Sequence, residues 1–279
     1  MIANARMYSV TPVVAELWRH LLTGIARKSG LGIDIIDYAA PKPMSELLQR
    51  PDKAAVFMCG LPYSLATPRP LLIAAPVPHH GHATYWTEFV VAADSKFRRI
   101  EDTFGGRIAF TTPDSQSGFA APLRYLMAAV GAHPLYAEIV APTVTPVGAL
   151  EAVVEGRADV APLDSYALAL LRHHAPAQAA RVRSIASTEP TAIPPLVASP
   201  GGPTQLSAIF GGAHQDKELA PLLDGLLLQC FVLPEQAGYE ALARDFETTK
   251  RFWRDHPFAR TAHPAFAELQ AIDRPGGMR

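Results

Sequence analysis

The feature that most constrains this chain is an alternation of short apolar runs with amphipathic stretches of helical spacing, sustained from the start to about residue 187. Strand-like and helix-like segments that take turns in this way bury a mainly parallel sheet beneath helices, so an α/β fold is expected. At 279 residues the chain exceeds the usual size of one hydrophobic core, which makes two lobes the expected arrangement.

The opening strand is expected to end near Tyr8. Thr11 and Pro12 read as a helix cap and first helical residue, and Val14, Leu17, Trp18, Leu21 and Ile25 then share one face of a helix that stops at Gly30. A strand over 33–37, a helix over 43–50, strands over 54–58 and 71–77 and a proline-rich loop over 61–70 complete the first set of units. The apolar run over 87–93 carries the chain out of this lobe. Strands over 107–111, 137–140 and 159–162 follow, each leading into a helix, over 116–130, 147–155 and 165–174. A strand over 182–186 returns the chain, with helices expected over 219–231 and 236–253 and a frayed tail over 273–279. The expected division is residues 1–90 in the first lobe, 91–183 in the second and 184–279 back in the first. Two mixed sheets flanked by helices, joined by a double-crossover hinge, are the resulting architecture, and ligands favour such domain interfaces.

Charge narrows the partners. Lys and Arg number 25 against 26 Asp and Glu, a net charge of -1, and basic residues form only short pairs such as Arg98-Arg99, so nucleic acid is not expected as a partner. Cys59 falls in a strand-like segment and Cys230 in a helix-like one, with neither metal spacing nor a disulfide framework, and both read as small buried hydrophobes. His79-His80-Gly81-His82 has no partnering cysteine or acidic motif and reads as a polar loop, so no metal and no cofactor are expected. His173-His174 sits at an expected helix end, where positive charge suits the dipole. The first ten residues lack a long apolar core behind a basic start, so no signal peptide is visible; a trimmed leader and a cytosolic location both stay open.

The sharpest local signal is Gly106-Arg-Ile-Ala-Phe-Thr-Thr-Pro-Asp-Ser-Gln-Ser-Gly118, a strand passing through a turn of small polar residues into a helix. Such a helix start presents unpaired N–H groups, with the Ser115 and Ser117 hydroxyls beside them, and its dipole favours a carboxylate, sulfate or phosphoryl group. No Walker lysine follows, so nucleotide hydrolysis is not implied. An equally simple reading is that Asp114 or Ser115 caps the helix. The sequence holds no G-x-S-x-G elbow, no H-E-x-x-H helix, no G-x-G-x-x-G after a strand and no C-x-x-C pair, so a non-enzyme is expected.

This run, together with Gly148-Ala-Leu-Glu-Ala-Val-Val-Glu-Gly-Arg-Ala-Asp-Val-Ala-Pro-Leu-Asp-Ser165, resembles the phosphate/phosphonate-binding family of ABC-transporter periplasmic solute-binding proteins. The stretch from Val182 to Val197 is similar to that family's return strand and proline-rich hinge segment. The resemblance implies a two-lobed type II periplasmic-binding fold that closes on a small anionic ligand by hinge motion. It matches Ser115, Gln116 and Ser117 to the anion-holding turn, Asp164 to the polar end of a second-lobe strand and Tyr8 to the aromatic after the first strand. By position, Tyr63 and Tyr85 join them as candidates to cover an apolar or cationic part of a ligand, although packing is the commoner role for buried tyrosines.

An ionised Asp164 only accepts hydrogen bonds, so it favours a ligand that brings a donor, such as a protonated phosphoryl oxygen or an amine. Its simpler role is to cap the helix starting at Ser165. Thr143 and Thr145 stand where phosphonate binders commonly place a histidine, a departure that puts phosphonate itself in question. What the resemblance implies is a periplasmic monomer that passes its solute to an ABC permease. The alternatives are a cytosolic enzyme on the same fold, resembling those of menaquinone or pyrimidine-precursor pathways, and a ligand-sensing module.

Overall fold

Strand β1 (Ile2–Asn4) is shorter than the sequence suggests. The Asn4 side chain ends it: Oδ1 accepts from the N–H of Arg6 at 2.9 Å while Nδ2 donates to the carbonyl of Ile36 at 2.8 Å, and Arg6–Tyr8 turns into a 3-10 helix. Helix α1 (Pro12–Ser29) has the expected ends, with Thr11 accepting from the N–H of Val14 and Gly30 stopping it at φ 67°. Its face of Val14, Trp18, Leu21 and Ile25 is buried.

The computed structural model describes residues 1–129, 134–256 and 258–259. The expected tail over 273–279 lies outside the described residues. After α1 come strand β2 (Asp34–Ile35), helix α2 (Met44–Gln49) and strand β3 (Lys53–Phe57). The stretch expected as a loop over 61–70 instead opens as helix α3 (Gly60–Leu65), since Pro62 lies in the first turn, where no N–H is needed. Strands β4 (Leu71–Pro78), β5 (Thr84–Tyr85), β6 (Thr87–Ala92) and β7 (Arg107–Ala109) follow. The expected long helix from residue 116 starts as a π-turn over Gln116–Ala120 before helix α4 (Ala121–Leu126). Then come strand β8 (Glu138–Val140), helix α5 (Pro146–Val154), strand β9 (Ala161–Asp164), helices α6 (Ser165–His174) and α7 (Pro176–Ala179), and strands β10 (Val182–Ser187), β11 (Thr191–Ala192) and β12 (Leu196–Ala198).

The helix expected over 219–231 divides. Helix α9 (Ala220–Gly225), which follows α8 (Gln205–Gly212), ends before Leu227 at φ 57°, and strand β13 (Leu228–Val232) takes Cys230 into an antiparallel ladder with β4. An apolar run is compatible with either state, and here the edge of β4 selects the strand. Helix α10 (Gln236–Asp255) is the last among the described residues.

Two compact units result: residues 1–85, 169–176 and 190–240 form unit 1, and residues 86–168, 177–189 and 241–279 form unit 2. The boundaries expected at 90 and 183 would fall inside β6 and β10, which pair with one another and so stay together in unit 2. Unit 1 is built on a mixed six-stranded sheet in the order β13-β4-β12-β3-β1-β2, with β1 parallel to β2 and β3 and with β12 antiparallel to both β3 and β4. Trp18 meets Phe57 edge-on at 5.1 Å in its core. Unit 2 holds the antiparallel sheet β10-β6-β9 and the parallel pair β7-β8, with Ile108 of β7 bridging in parallel to Val160 beside β9.

Candidate functional site

In unit 2 the strands β7, β8 and β9 each deliver the chain to the start of a helix, so three sets of orphan N–H donors arise at strand ends. At the first, Ser115 Oγ accepts from the N–H of Gly118 at 2.9 Å, while the N–H of Ala120 reaches the carbonyl of Ser115 at 3.0 Å in the wide π pattern. Ser115 is therefore the cap. Gln116 and Ser117 are buried in the turn.

At the second, Thr145 Oγ1 accepts from the N–H of Gly148 at 3.0 Å, and Thr143 donates both its N–H and its hydroxyl to the carbonyl of Phe110, at 3.0 and 3.1 Å. Between them Val144 sits at φ 67°, a conformation that opposes β-branched residues at a cost of about 1–3 kcal/mol. Its N–H donates to the carbonyl of Thr111 at 3.4 Å. At the third, Asp164 Oδ1 accepts from the N–H groups of Tyr166 and Ala167, both at 2.9 Å, so the capping role is present. Burial first, and the Asp164 charge second, hold the Tyr166 phenol well above its ordinary range, so it stays neutral.

Hydrogen bonds join the first turn to the second and to strand β6. The N–H of Thr111 donates to the carbonyl of Gly118 at 3.3 Å, and the buried Thr87 hydroxyl donates to the carbonyl of Ser117 at 2.8 Å. Thr87 is the strand partner of Asp164. Ser115, Gln116, Ser117 and Asp164 thus stand on turns that flank Thr87, and residues 110–118, 143–148 and 164–167 include no Lys, Arg or His. Gly118 is required by space, since a methyl there would overlap the Thr111 hydroxyl and lie 2.9 Å from Ser115 Oγ. Among the described residues Thr111 Oγ1 is buried with no hydrogen-bond partner.

The three tyrosines lie in unit 1. Tyr8 stands on the 3-10 turn rather than at a strand end, packed edge-on against Phe57 at 5.0 Å. Tyr63 stands on α3 rather than in a loop, 5.1 Å from Tyr239, and its ring faces a groove of about 470 Å³ that Arg69, Leu72, Leu233, Pro234 and Gln236 also line. Burial raises its phenol, which Arg69 partly offsets. Tyr85 closes β5 against Thr191. All three are at most 2% exposed. Among the described residues no cluster of three or more His, Cys, Asp or Glu side chains is arranged to hold a metal ion. Thr87, Thr111 and Val144 were not singled out from sequence. Only Thr87 carried a signal, as the polar residue heading an apolar strand.

The model of the family described as ABC transporter, phosphonate, periplasmic substrate-binding protein matches residues 9–239. The chain belongs to that family. Its members are transport binding proteins. Among solved structures, the binding protein component of an ABC phosphonate transporter from Pseudomonas aeruginosa is similar at TM-score 0.76 and 18% identity, over 98% of this chain and 94% of that one. PhnD1 from Prochlorococcus marinus, solved with methylphosphonate, matches at TM-score 0.75 and 14% identity, over 89% and 97%. A Xanthomonas citri protein bound to ATP matches at TM-score 0.61 and 18% identity, over 92% and 98%. The shared fold is the type II periplasmic-binding fold expected from the sequence. No curated protein matches the chain.

Proposed function

We propose that this protein is the periplasmic solute-binding component of an ABC importer, that it holds a small phosphonyl or phosphoryl anion at the 115–118 helix start, and that its units close on the solute before it is passed to the permease. The observation that carries the reading is the place of Thr87, whose hydroxyl holds the Ser117 carbonyl and which pairs with Asp164 in the β6–β9 ladder, so that the Ser115–Ser117 turn and Asp164 lie side by side. With only neutral N–H and hydroxyl donors and no basic side chain in those turns, the site favours a singly charged anion over a fully ionised one. The Asp164 carboxylate adds a requirement for a donor on the ligand, which a hydrogen phosphonate supplies. Tyr8, Tyr63 and Tyr85 support the reading only as packing of unit 1, in line with their burial.

A thermal-shift screen against methylphosphonate, phosphate, phosphite, sulfonates and small carboxylates tests this. A ligand at a hundred times its dissociation constant adds about 2.7 kcal/mol of stability. A shift confined to phosphonyl or phosphoryl compounds, abolished by Ser117→Glu, is expected. Silence across the panel, or a shift that Ser117→Glu leaves intact, overturns the assignment. Small-angle scattering at saturating ligand should show compaction.

A further inference from the structure

The family match ends at residue 239, yet the described residues from 241 to 259 belong to unit 2 and pack against α4 and Phe110. Phe258 is 4% exposed. Its ring lies 4.8 Å from Trp253, 5.6 Å from Tyr136 and 5.9 Å from Phe110. Its carbonyl accepts from the N–H of Tyr136 at 3.1 Å, and Ala259 bridges in parallel to Tyr136. Trp253 Nε1 donates to the carbonyl of Leu123 in α4 at 3.0 Å, and Arg124 of α4 pairs with Asp245 of α10. The C-terminal segment is thereby fastened both to the helix behind the turn and to the loop before β8.

Phe110 is the link to the site. Its ring meets Phe119 edge-on at 5.1 Å, two residues after Ser117, and its carbonyl holds Thr143 in the neighbouring turn. We infer that Phe258 is a positioning residue for the solute turn: it wedges the Phe110–Phe119 ring pair, and through that pair it fixes the Ser115–Gly118 helix start and the Thr143–Thr145 turn without touching solute. Packed rings have one well-filled arrangement, so removing one lets its neighbours move into the space. Displacement of binding donors by about 1 Å weakens their hold by tenfold or more.

This inference rests on the proposed solute site, and the experiment separates the two. Methylphosphonate affinity is measured by calorimetry for the wild type, Phe258→Leu and Phe258→Ala, at a temperature where circular dichroism shows each folded. The backbone amide resonances of Gln116, Ser117 and Gly118 are recorded in the absence of ligand. Affinity is expected to fall in the order wild type, Leu, Ala, by about tenfold or more for Ala, with those amides shifted in both variants. If Phe258→Ala does not fold, Phe258→Leu carries the test through the same amides. Unmoved amides with wild-type affinity in a folded variant overturn the positioning role. Failure of the wild type itself to bind methylphosphonate or phosphate counts against the proposed function, while the amide shifts still decide the role of Phe258.

Discussion

Replacing Thr111 with valine exchanges one hydroxyl for a methyl and leaves the β-branched shape, and therefore the rotamer preference, nearly unchanged. Thr111 is 5% exposed, and its hydroxyl has no partner among the described residues. A buried hydroxyl without a partner costs about 1–3 kcal/mol relative to water, and the methyl that replaces it gains from leaving water instead. Gly118 lies against the hydroxyl, so the methyl must occupy the same space, and part of the gain is spent on contact there. A net stabilisation of about 1 kcal/mol is expected, which for units of this size raises Tm by about 2–4 °C. Differential scanning calorimetry at neutral pH, with urea denaturation alongside, measures it. A fall in Tm of similar size refutes the reasoning, because it means that the hydroxyl is satisfied, by ordered water for example, and that valine strands its partner.

Gly118→Ala drives a methyl into the Thr111 hydroxyl and is expected to cost about 1–3 kcal/mol; a melt identical to wild type in circular dichroism contradicts the packing described. Asp164→Asn keeps an oxygen for the N–H groups of Tyr166 and Ala167, whereas Asp164→Ala loses the cap at about 1 kcal/mol. If Asp164 also faces the solute, the asparagine variant is as stable as wild type yet binds donor-bearing phosphonates more weakly in calorimetry; equal affinities reduce it to a cap. In unit 1, the hydrogen bond from Lys28, 2.6 Å away, is the main cause holding the Asp216 carboxyl below its ordinary value, with the Glu218 and Leu219 N–H groups adding to it. A depressed folded pKa means that this contribution is complete above the unfolded value of about 3.9 and is lost as pH falls through the lower folded value. Asp216→Asn should therefore flatten the decline of Tm with acidity below about pH 4, and an unchanged acid limb argues against the pairing.

The helix caps were legible because they are local. Thr11 and Pro12, Ser115, and Asp164 ahead of Ser165 all act within a few residues of their own position. The strand at 228–232 was not, because an apolar stretch is ambiguous until β4 offers it an edge. The same limit hid much of the site. Thr87 earns its role through a carbonyl thirty residues away, so its place at the head of an apolar strand does not reveal the partner, and Thr111 acts through the missing side chain of Gly118, which leaves no pattern in its own neighbourhood. For Tyr8 and Tyr63 only the local setting differs from the sequence expectation: Tyr8 stands on a 3-10 turn and Tyr63 on α3, since Asn4 ends β1 early and Pro62 fits a first helical turn. The family resemblance was legible because its turn sequence is contiguous.

The interior place of β12 bears on how the molecule comes to be made. This strand separates β3 from β4 in the unit 1 sheet, yet it is supplied only at Leu196–Ala198, after the first two segments of unit 2 have been threaded. A nascent chain of the first 85 residues holds the flanking strands with an unfilled gap between them and two unpaired edges. Closing it requires contacts of large sequence separation, which slow folding and prolong exposure of apolar strands. Unit 2 waits in turn for Trp253 and Phe258. Synthesis must therefore pass Val232 before the unit 1 sheet can finish and Phe258 before unit 2 can, a natural window for a chaperone that shields the open strands.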